Sequence, residues 1–409
     1  MKLAILIIFI ITYAGIAAGG IRGLKLDRTG IALLGAIAML GLGEITLNQA
    51  ISSINFESIL LLFALMVISS QLQHAGFYYK MAEFISKFLD KPAMFLFILM
   101  FTAGILSAFL NNDVVCFAFT PVIIIALVKK QLNPIPFLVA LALSSNIGCA
   151  LTLIGNAQDV LIGQLGNLSF GGYMVWAAVP VIISIMLSYI IIFLLGKKSL
   201  FLQIGVNPIS LGKEFYQLKP WRMTKGLMAV TAIVVLFFFP LPKYLVALVA
   251  AGILLCSHKL ESKDVLKLVD WQLLILFISL FVVVGAFSHS GLGLILIEYM
   301  KNLGIHLNNS YTLAITTGVL SNLINNSAAV MFFVHIIDLT KEVNCYILAI
   351  ANTFAGNFLL ISSVANLIVV KEAKDMNINI SFMQFAKYGI PSATVSFMIL
   401  TLWIFITTQ

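Results

Sequence analysis

The side chains that could do chemistry in this sequence lie in four short polar runs within apolar surroundings. Their amide, hydroxyl and carboxylate oxygens suit Na⁺ or a proton. Asp113 is the sharpest candidate, because an acidic side chain in an apolar setting is costly and usually functional. The candidate ligands for a solute or ion are Asn111, Asn112, Asp113, Ser145, Asn146, Gly148, Thr152, Gly155, Asn156, Asn325, Asn326, Ser327, Asn352, Gly356, Asn357, Ser362 and Ser363, and Asn111, Asp113 and Asn146 could together hold Na⁺.

Sequence motifs of enzymes are missing. The chain has no G-x-S-x-G, no H-E-x-x-H and no G-x-x-x-x-G-K-[ST], the signatures of serine hydrolases, zinc proteases and nucleotide-binding loops. Its four cysteines form no C-x-x-C pair, and nothing has the spacing of a metal site. We therefore expect no enzymatic activity, no cofactor beyond a coupling ion, and no ATP-driven pumping by this chain alone.

The composition shows where such polar runs must lie. The chain has 409 residues, of which 61% are hydrophobic and 10% charged, with a net charge of +8 and a mean hydropathy of +1.08. Soluble domains are roughly 45–50% apolar and about 25% charged. These values exclude a soluble enzyme, a disordered protein and a secreted disulfide scaffold. They predict an all-α polytopic membrane protein whose surroundings are the lipid bilayer and whose positive charge reports topology rather than a nucleic-acid partner.

Apolar runs long enough to enter a hydrocarbon core of about 30 Å recur along the chain. Two of them, 93–128 and 310–340, are interrupted by polar triplets at 111–113 and 325–327. Because unpaired polar groups are costly at mid-membrane, we expect each to be a re-entrant hairpin with the triplet at its tip. The remaining runs predict ten spans, at 3–19, 29–43, 56–74, 135–162, 174–195, 226–240, 244–257, 271–289, 345–370 and 386–408.

The basic residues predict an orientation. If the basic segment 196–225 is cytoplasmic, 20 of the 24 Lys and Arg residues fall on that side, and only Lys2, Lys243, Lys301 and Lys341 fall on the other. This count agrees with the positive-inside rule only when neither hairpin is counted as a single crossing. We expect a bacterial inner-membrane protein with both termini outside.

An internal repeat organises these elements. Residues 104–112 align with 318–326, and residues 153–159 align with 360–366. Each half then has five spans and one hairpin, and an odd number of crossings places the halves in opposite orientation. Such an inverted-topology repeat, with helices broken near the membrane centre, is typical of secondary transporters. The predicted units are the first repeat, the basic linker and the second repeat, at 1–195, 196–225 and 226–409.

At these motifs the chain resembles the ion transporter superfamily, in the branch of arsenite/antimonite permeases and sodium/proton antiporters, which has a citrate-transporter-like domain. The family's N-D and T-P match Asn112-Asp113 and Thr120-Pro121. Its first break resembles residues 145–159, its second tip 325–330 and its second break 356–363. The chain departs from the family at Ala157 and Ala328 (family Pro), Leu359 (family Thr), Ser362 (family Gly) and Asp159 (often Asn in the family).

The resemblance implies a function. It implies a secondary active transporter of a small inorganic solute or anion, arsenite-like, coupled to H⁺ or Na⁺ by an elevator motion, and a homodimer. A Na⁺/H⁺ antiporter is one alternative. A permease driven by a partner ATPase, or a channel, is another. The S-N-T tips of dicarboxylate transporters are absent, which argues against a dicarboxylate substrate. Asp159 is a weaker ion-binding candidate that could equally lie at the outer interface.

Overall fold

The chain forms two successive sets of ten helices. The computed structural model describes residues 2–19, 26–200, 218–256 and 261–408, and within these ranges it contains twenty α-helices and no β-strand. The first ten are α1 (Lys2–Ala18), α2 (Arg28–Gly41), α3 (Leu47–Ser53), α4 (Phe56–His74), α5 (Phe77–Ser86), α6 (Pro92–Phe109), α7 (Asn112–Lys129), α8 (Ile135–Cys149), α9 (Ala157–Leu165) and α10 (Phe170–Leu200).

The second ten follow in a similar order of short and long elements, except that α17 has 8 residues where α7 has 18. In both sets, the fourth helix ends at a histidine and is followed by a glycine in the left-handed conformation, Gly76 (φ 77°) and Gly291 (φ 76°). Glycine adopts this conformation without strain, so in each set the chain turns at this glycine into the fifth helix. These helices are α11 (Pro220–Leu236), α12 (Lys243–Leu255), α13 (Ser262–Lys267), α14 (Trp271–His289), α15 (Leu292–Asn302), α16 (Ser310–Ile324), α17 (Asn326–Phe333), α18 (Glu342–Ala355), α19 (Val364–Asp375) and α20 (Phe382–Thr407).

The helix lengths fit a membrane protein. Among the described residues, six helices are long and apolar enough to cross a bilayer: α4, α6, α7, α10, α14 and α20. Four shorter apolar helices accompany them: α1, α2, α8 and α12. The predicted spans 135–162 and 345–370 are each interrupted, at 150–156 and 356–363, because glycine and polar residues replace the apolar pattern there.

The predicted hairpins and linker differ in detail from the sequence-based boundaries. Each arm of 93–128 is a helix of 18 residues, whereas the second arm of 310–340 is an eight-residue helix followed by turns. Of the predicted linker, residues 196–200 belong to α10 and residues 220–225 to α11. Residues 201–217 lie outside the described residues, so the linker's cytoplasmic location stays a prediction.

The helix packing brings the two halves together around the polar runs. α2 packs against α14, and α4 packs against α12, so the halves interlock. Within the first half, α6 and α8 approach so closely that a Cβ on Gly148 would lie 2.3 Å from the Gly104 Cα. The corresponding Gly318 of α16 faces the ring of Phe397 instead. The close contact of α6 and α8 holds the first polar triplet against the break between α8 and α9.

Candidate functional site

The first polar tip joins α6 to α7 and is fixed by backbone and side-chain hydrogen bonds. Asn111 caps α7, because its Oδ1 accepts a hydrogen bond from the Asp113 N–H at 2.8 Å. The backbone N–H of Asn112 donates to the Gly155 carbonyl at 3.2 Å, and the Ser145 hydroxyl donates to the Asn112 carbonyl at 3.2 Å. The tip is therefore attached to the break that follows α8.

The second tip repeats this cap with a strained backbone. Asn325 Oδ1 accepts a hydrogen bond from the Ser327 N–H at 2.9 Å, as Asn111 does from Asp113. Asn325 has φ 87° and ψ 148°, a region that non-glycine residues rarely occupy and that costs on the order of 1–3 kcal/mol. The Gln158 amide of α9 donates to the Ser327 hydroxyl at 2.7 Å. This bond links the second tip to the break of the first half.

Asn146 on α8 is the centre of the polar network. Its Oδ1 accepts from the Asn112 amide at 3.2 Å and from the Ser363 hydroxyl at 3.0 Å. Its Nδ2 donates to Asn357 Oδ1 at 2.9 Å and to Asn366 Oδ1 at 3.0 Å. One buried side chain thus joins the first tip to the break between α18 and α19.

These elements enclose a small polar cavity of about 30 Å³. A water needs roughly 10–15 Å³ measured in this way, so the cavity has room for about two waters or a group of similar size. Its walls come from both tips, both breaks and one residue of α14. They are formed by Asn112, Asp113, Asn146, Cys149, Asn156, Ala157, Gln158, Leu273, Asn325, Asn326, Thr353, Ser363 and Val364.

The cavity combines carboxylates with helix N-termini. Among the described residues, Asp113 is the one charged residue of its walls, and none of them is Lys, Arg or His. A second carboxylate, Asp270, caps α14 next to Leu273 and adds negative potential at Asp113. The first residues of α7, α9, α17 and α19 also belong to the walls. The carboxylates favour a proton or a cation, whereas the helix N-termini favour an anion.

The structure brings together most residues that the sequence singled out. Seven line the cavity: Asn112, Asp113, Asn146, Asn156, Asn325, Asn326 and Ser363. Five more support it by contacts with its walls. Asn112 bonds to Gly155 and Ser145, and Asn146 bonds to Asn357. Ser327 bonds to Gln158. Gly356 packs against Asn326, since a Cβ on Gly356 would lie 3.0 Å from Asn326 Nδ2.

The other five candidates lie outside the cavity. Asn111 lines a separate, mostly apolar cavity with residues of α4 and α11, so the suggested Na⁺ ligand set of Asn111, Asp113 and Asn146 does not converge. Gly148 packs against Gly104, and Thr152 donates a hydrogen bond to the Ala108 carbonyl. Ser362 donates to Asn322 at 2.6 Å, and Asn352 accepts from Ser321 at 2.6 Å.

Sequence reasoning missed four polar or thiol residues of the site and three apolar wall residues, Ala157, Leu273 and Val364. Gln158 and Asn366 fall within the repeated motifs, and Thr353 and Cys149 are neighbours of chosen residues, so a wider reading of those motifs could have found them. Leu273 gave no signal, because it is one apolar residue in an apolar span. Its presence depends on how α14 packs.

Replacing Asn146 by Ala is expected to destabilise the protein by about 3 kcal/mol. The substitution leaves several buried amide and hydroxyl groups without a partner, and each such loss costs roughly 1–3 kcal/mol. Thermal unfolding of the purified protein in detergent measures the effect. Asn302→Ala, at an exposed site at the end of α15, is the matched control. Equal unfolding temperatures for the two variants would contradict the central role of Asn146.

Comparison with known families decides the identity of the chain. A family model described as citrate transporter (CitMHS) matches residues 4–344. The chain belongs to the citrate transporter family. Its relatives are transporters, so this citrate transporter family member is a membrane transporter and not an enzyme, as its sequence predicts.

Several relatives of this citrate transporter family member align with nearly its whole length. A 46 kDa membrane protein of Mycobacterium leprae is 26% identical and covers 97% of this chain and 96% of its own length. A Dictyostelium discoideum protein that carries the transporter name arsB is 24% identical, over 92% of this chain and 87% of its own. The silicon efflux transporter LSI3 of Oryza sativa subsp. japonica is 23% identical, over 91% of each chain.

Solved structures confirm the fold of this citrate transporter family member. The YdaH transporter of Alcanivorax borkumensis superposes with a TM-score of 0.61 at 12% identity, over 100% of this chain and 98% of that chain. MtrF of Neisseria gonorrhoeae superposes with a TM-score of 0.60 at 12% identity, over 99% and 94%. At this identity the likeness concerns the fold, whereas the family model and the relatives named arsB and silicon efflux transporter confirm the predicted family resemblance.

Proposed function

We propose that this membrane transporter is a secondary active transporter that exchanges a small uncharged oxyacid, arsenite-like, for H⁺ or Na⁺. The observation that carries this proposal is the single carboxylate of Asp113 in a small amide-lined cavity between the two tips. A carboxylate can bind a cation or a proton, while the amide and hydroxyl groups can bind the hydroxyls of a neutral solute.

The charge of the cavity argues against citrate or another polyanion as the solute. A polyanion such as citrate is commonly bound by Arg or Lys, and among the described residues neither lines the cavity. Asp113 and Asp270 would repel an anion in surroundings of low dielectric constant. The relatives named for silicon efflux and as arsB fit a small oxyacid in size and charge.

The hydrogen bonds support an elevator motion. They join α6–α9 to α16–α19 through Asn146, Asn156 and Gln158, so these helices form one connected unit. The helices α1, α2, α11 and α12 contribute no side chain to the cavity walls. We propose that this second group is a scaffold, which could also form a homodimer, and that the connected unit moves against it.

The geometry also supports re-entrant hairpins within an inverted repeat. The first tip contacts the break between α8 and α9, and a break within a spanning helix pair lies at membrane depth rather than at its surface. The two halves share their element order, with matching capped tips at Asn111 and Asn325. Two similar units in opposite orientation give two arrangements of similar energy, open to opposite sides.

Transport by purified protein in liposomes tests the function. With arsenite as the probe, an imposed pH gradient or Na⁺ gradient is expected to drive arsenite movement, and the effective gradient identifies the coupling ion. Citrate under the same gradients serves as the comparison and is expected to show no flux. Arsenite flux that ignores both gradients would indicate a channel. Na⁺ and H⁺ exchange without arsenite movement would indicate a Na⁺/H⁺ antiporter.

The proposed orientation in a bacterial inner membrane gives a topology prediction. Lys267 and Lys301 are assigned to opposite sides by the positive-inside rule. Single-cysteine variants Lys267→Cys and Lys301→Cys, made with Cys256→Ser, are expected to react with a membrane-impermeant maleimide from opposite sides of spheroplasts and inverted vesicles. The three other cysteines are buried, so they serve as an internal control. Labelling of both sites from one side would refute the orientation.

A further inference from the structure

A second acidic side chain lies behind the cavity wall. Asp159, in the first turn of α9, is fully buried and lines no part of the cavity. Its Oδ2 accepts a hydrogen bond from Asn156 Nδ2 at 2.7 Å, and its Oδ1 lies 3.5 Å from the Thr353 hydroxyl. The alternative that it sits at the outer interface is wrong, because the side chain is enclosed by helices of both halves.

No basic group compensates this carboxylate. The ion pairs found among the described residues are all at exposed sites and do not involve Asp159. The titratable groups that face it are the Cys149 thiol and the Tyr173 hydroxyl. A buried carboxylate without a counter-charge carries a large desolvation cost unless it is neutralised.

The helices packed against α9 add no other titratable group near Asp159. They are α4, α17 and α18. α17 has no titratable side chain, and α4 carries Glu57 and His74 only at its ends. On α18, the titratable residues Glu342, Cys345 and Tyr346 lie about two turns or more before Thr353.

The orientation of the Asn156 amide selects a proton over a metal cation. Asn156 Oδ1 accepts the backbone N–H of Asp159 at 2.7 Å, so its Nδ2 must face the carboxylate. Amide hydrogens repel a cation, and a Na⁺ ion needs several oxygen ligands. A proton on the carboxylate needs no additional ligand.

Thr353 connects Asp159 to the cavity. Thr353 is one of the cavity walls, and its hydroxyl lies within reach of Asp159 Oδ1 on the other side. A hydroxyl both donates and accepts hydrogen bonds. Thr353 can therefore give its proton to Asp159 Oδ1 while it takes one from a hydronium ion in the cavity, which becomes water, with a net transfer of one proton.

The repeat shows that this acid belongs to one half only. The aligned residue of the second half is Asn366, whose Nδ2 donates to the carbonyls of Gly356 and Leu359 at 2.8 and 3.3 Å. A carboxylate could not make those bonds. Asp113 likewise aligns with Ser327. Both acids thus lie in the first half, on either side of the cavity wall.

We propose that Asp159 is a proton-binding residue of the transporter in addition to the ion site at Asp113, loaded from the cavity through Thr353, so that one cycle moves one proton beyond the ion bound at Asp113. This inference rests on the proposed function for its role in transport. Proton binding by Asp159 itself does not depend on the identity of the solute.

Infrared difference spectroscopy during a pH titration of the wild-type protein in lipid vesicles tests proton binding without any solute. We expect Asp159→Asn to remove one titrating band of a buried carboxylic acid. The variant should remain folded and monodisperse, because the Asn side-chain oxygen can still accept the hydrogen bond from Asn156. Asp90→Asn, at an exposed residue paired with Lys130, removes no such band. If the Asp159→Asn spectrum keeps every titrating band of the wild type, the proposal is overturned.

Arsenite-driven proton movement in the same vesicles tests the stoichiometry. Asp159→Asn is expected to lower the number of protons moved per arsenite by one, whereas Thr353→Val keeps the infrared band and slows proton movement about tenfold. An unchanged ratio in Asp159→Asn would refute a transport role for this proton. Absence of arsenite transport in the wild type would refute the proposed function alone, since the infrared result stands by itself.

Discussion

Asp113→Asn is expected to abolish gradient-driven transport while the fold stays intact. Asn has nearly the same shape but binds neither a proton nor a cation with its former affinity, so each transport cycle lacks its coupling ion. We expect the initial rate of gradient-driven arsenite uptake into liposomes to fall about 100-fold or more, which corresponds to ~2.7 kcal/mol. Asp113 makes its cap bond to Asn111 through its backbone N–H, which the substitution retains.

Two measurements separate loss of coupling from loss of structure. Size-exclusion chromatography and thermal unfolding of Asp113→Asn are expected to match the wild type. Asp375→Asn removes an exposed carboxylate at the end of α19 and should transport at the wild-type rate. Near-normal gradient-driven uptake by Asp113→Asn would refute the assigned role of the carboxylate.

The second large effect is expected at Gly148. A Cβ at this position would lie 2.3 Å from the Gly104 Cα and 2.3 Å from its carbonyl oxygen. Both distances are too short for nonbonded heavy atoms, so the side chain would clash with the backbone. Because these are backbone atoms, Gly148→Ala must separate α6 from α8. Overpacking of this kind costs about 3 kcal/mol or more. We expect a lower unfolding temperature and a displaced first tip.

Gly252→Ala is the matched control for that variant. Nothing lies within 4 Å of a Cβ on Gly252, which also sits inside a helix. Alanine favours a helix over glycine by about 1 kcal/mol, so this substitution should be neutral or stabilising. If Gly148→Ala were as stable as Gly252→Ala, the close approach of α6 and α8 would not hold the tip in place.

Much of the site could be predicted from where polar residues interrupt apolar runs. The tips at 111–113 and 325–327 and the breaks at 150–156 and 356–363 follow from the high cost of unpaired polar groups in a membrane. The sequence also predicts that Asn111, Asn146, Asn325 and Asn357 share one cavity. Asn146 and Asn325 line it, Asn357 bonds to Asn146, and Asn111 faces a different cavity.

The rest depends on packing between distant segments. Asn111 and Asn112 are neighbours in the same polar run, but the turn into α7 directs one toward an apolar cavity and the other into the site. The roles of Thr353 and Asp159 arise from a contact across 194 positions of the chain, which no local pattern encodes. Gly148 serves helix packing rather than binding because Gly104 happens to face it.

The length of α10 ties this transporter to the thickness of its membrane. The helix runs from Phe170 to Leu195 without a charge before Lys197 and Lys198, about 39 Å at 1.5 Å per residue. A hydrocarbon layer of about 30 Å is shorter than this stretch, so the helix has to tilt, bend at Pro180 or thicken the bilayer around it. Because α10 packs against α8, which carries Asn146, a change of bilayer thickness acts next to the candidate site. We therefore expect the transport rate in liposomes to depend on the acyl-chain length of the lipid.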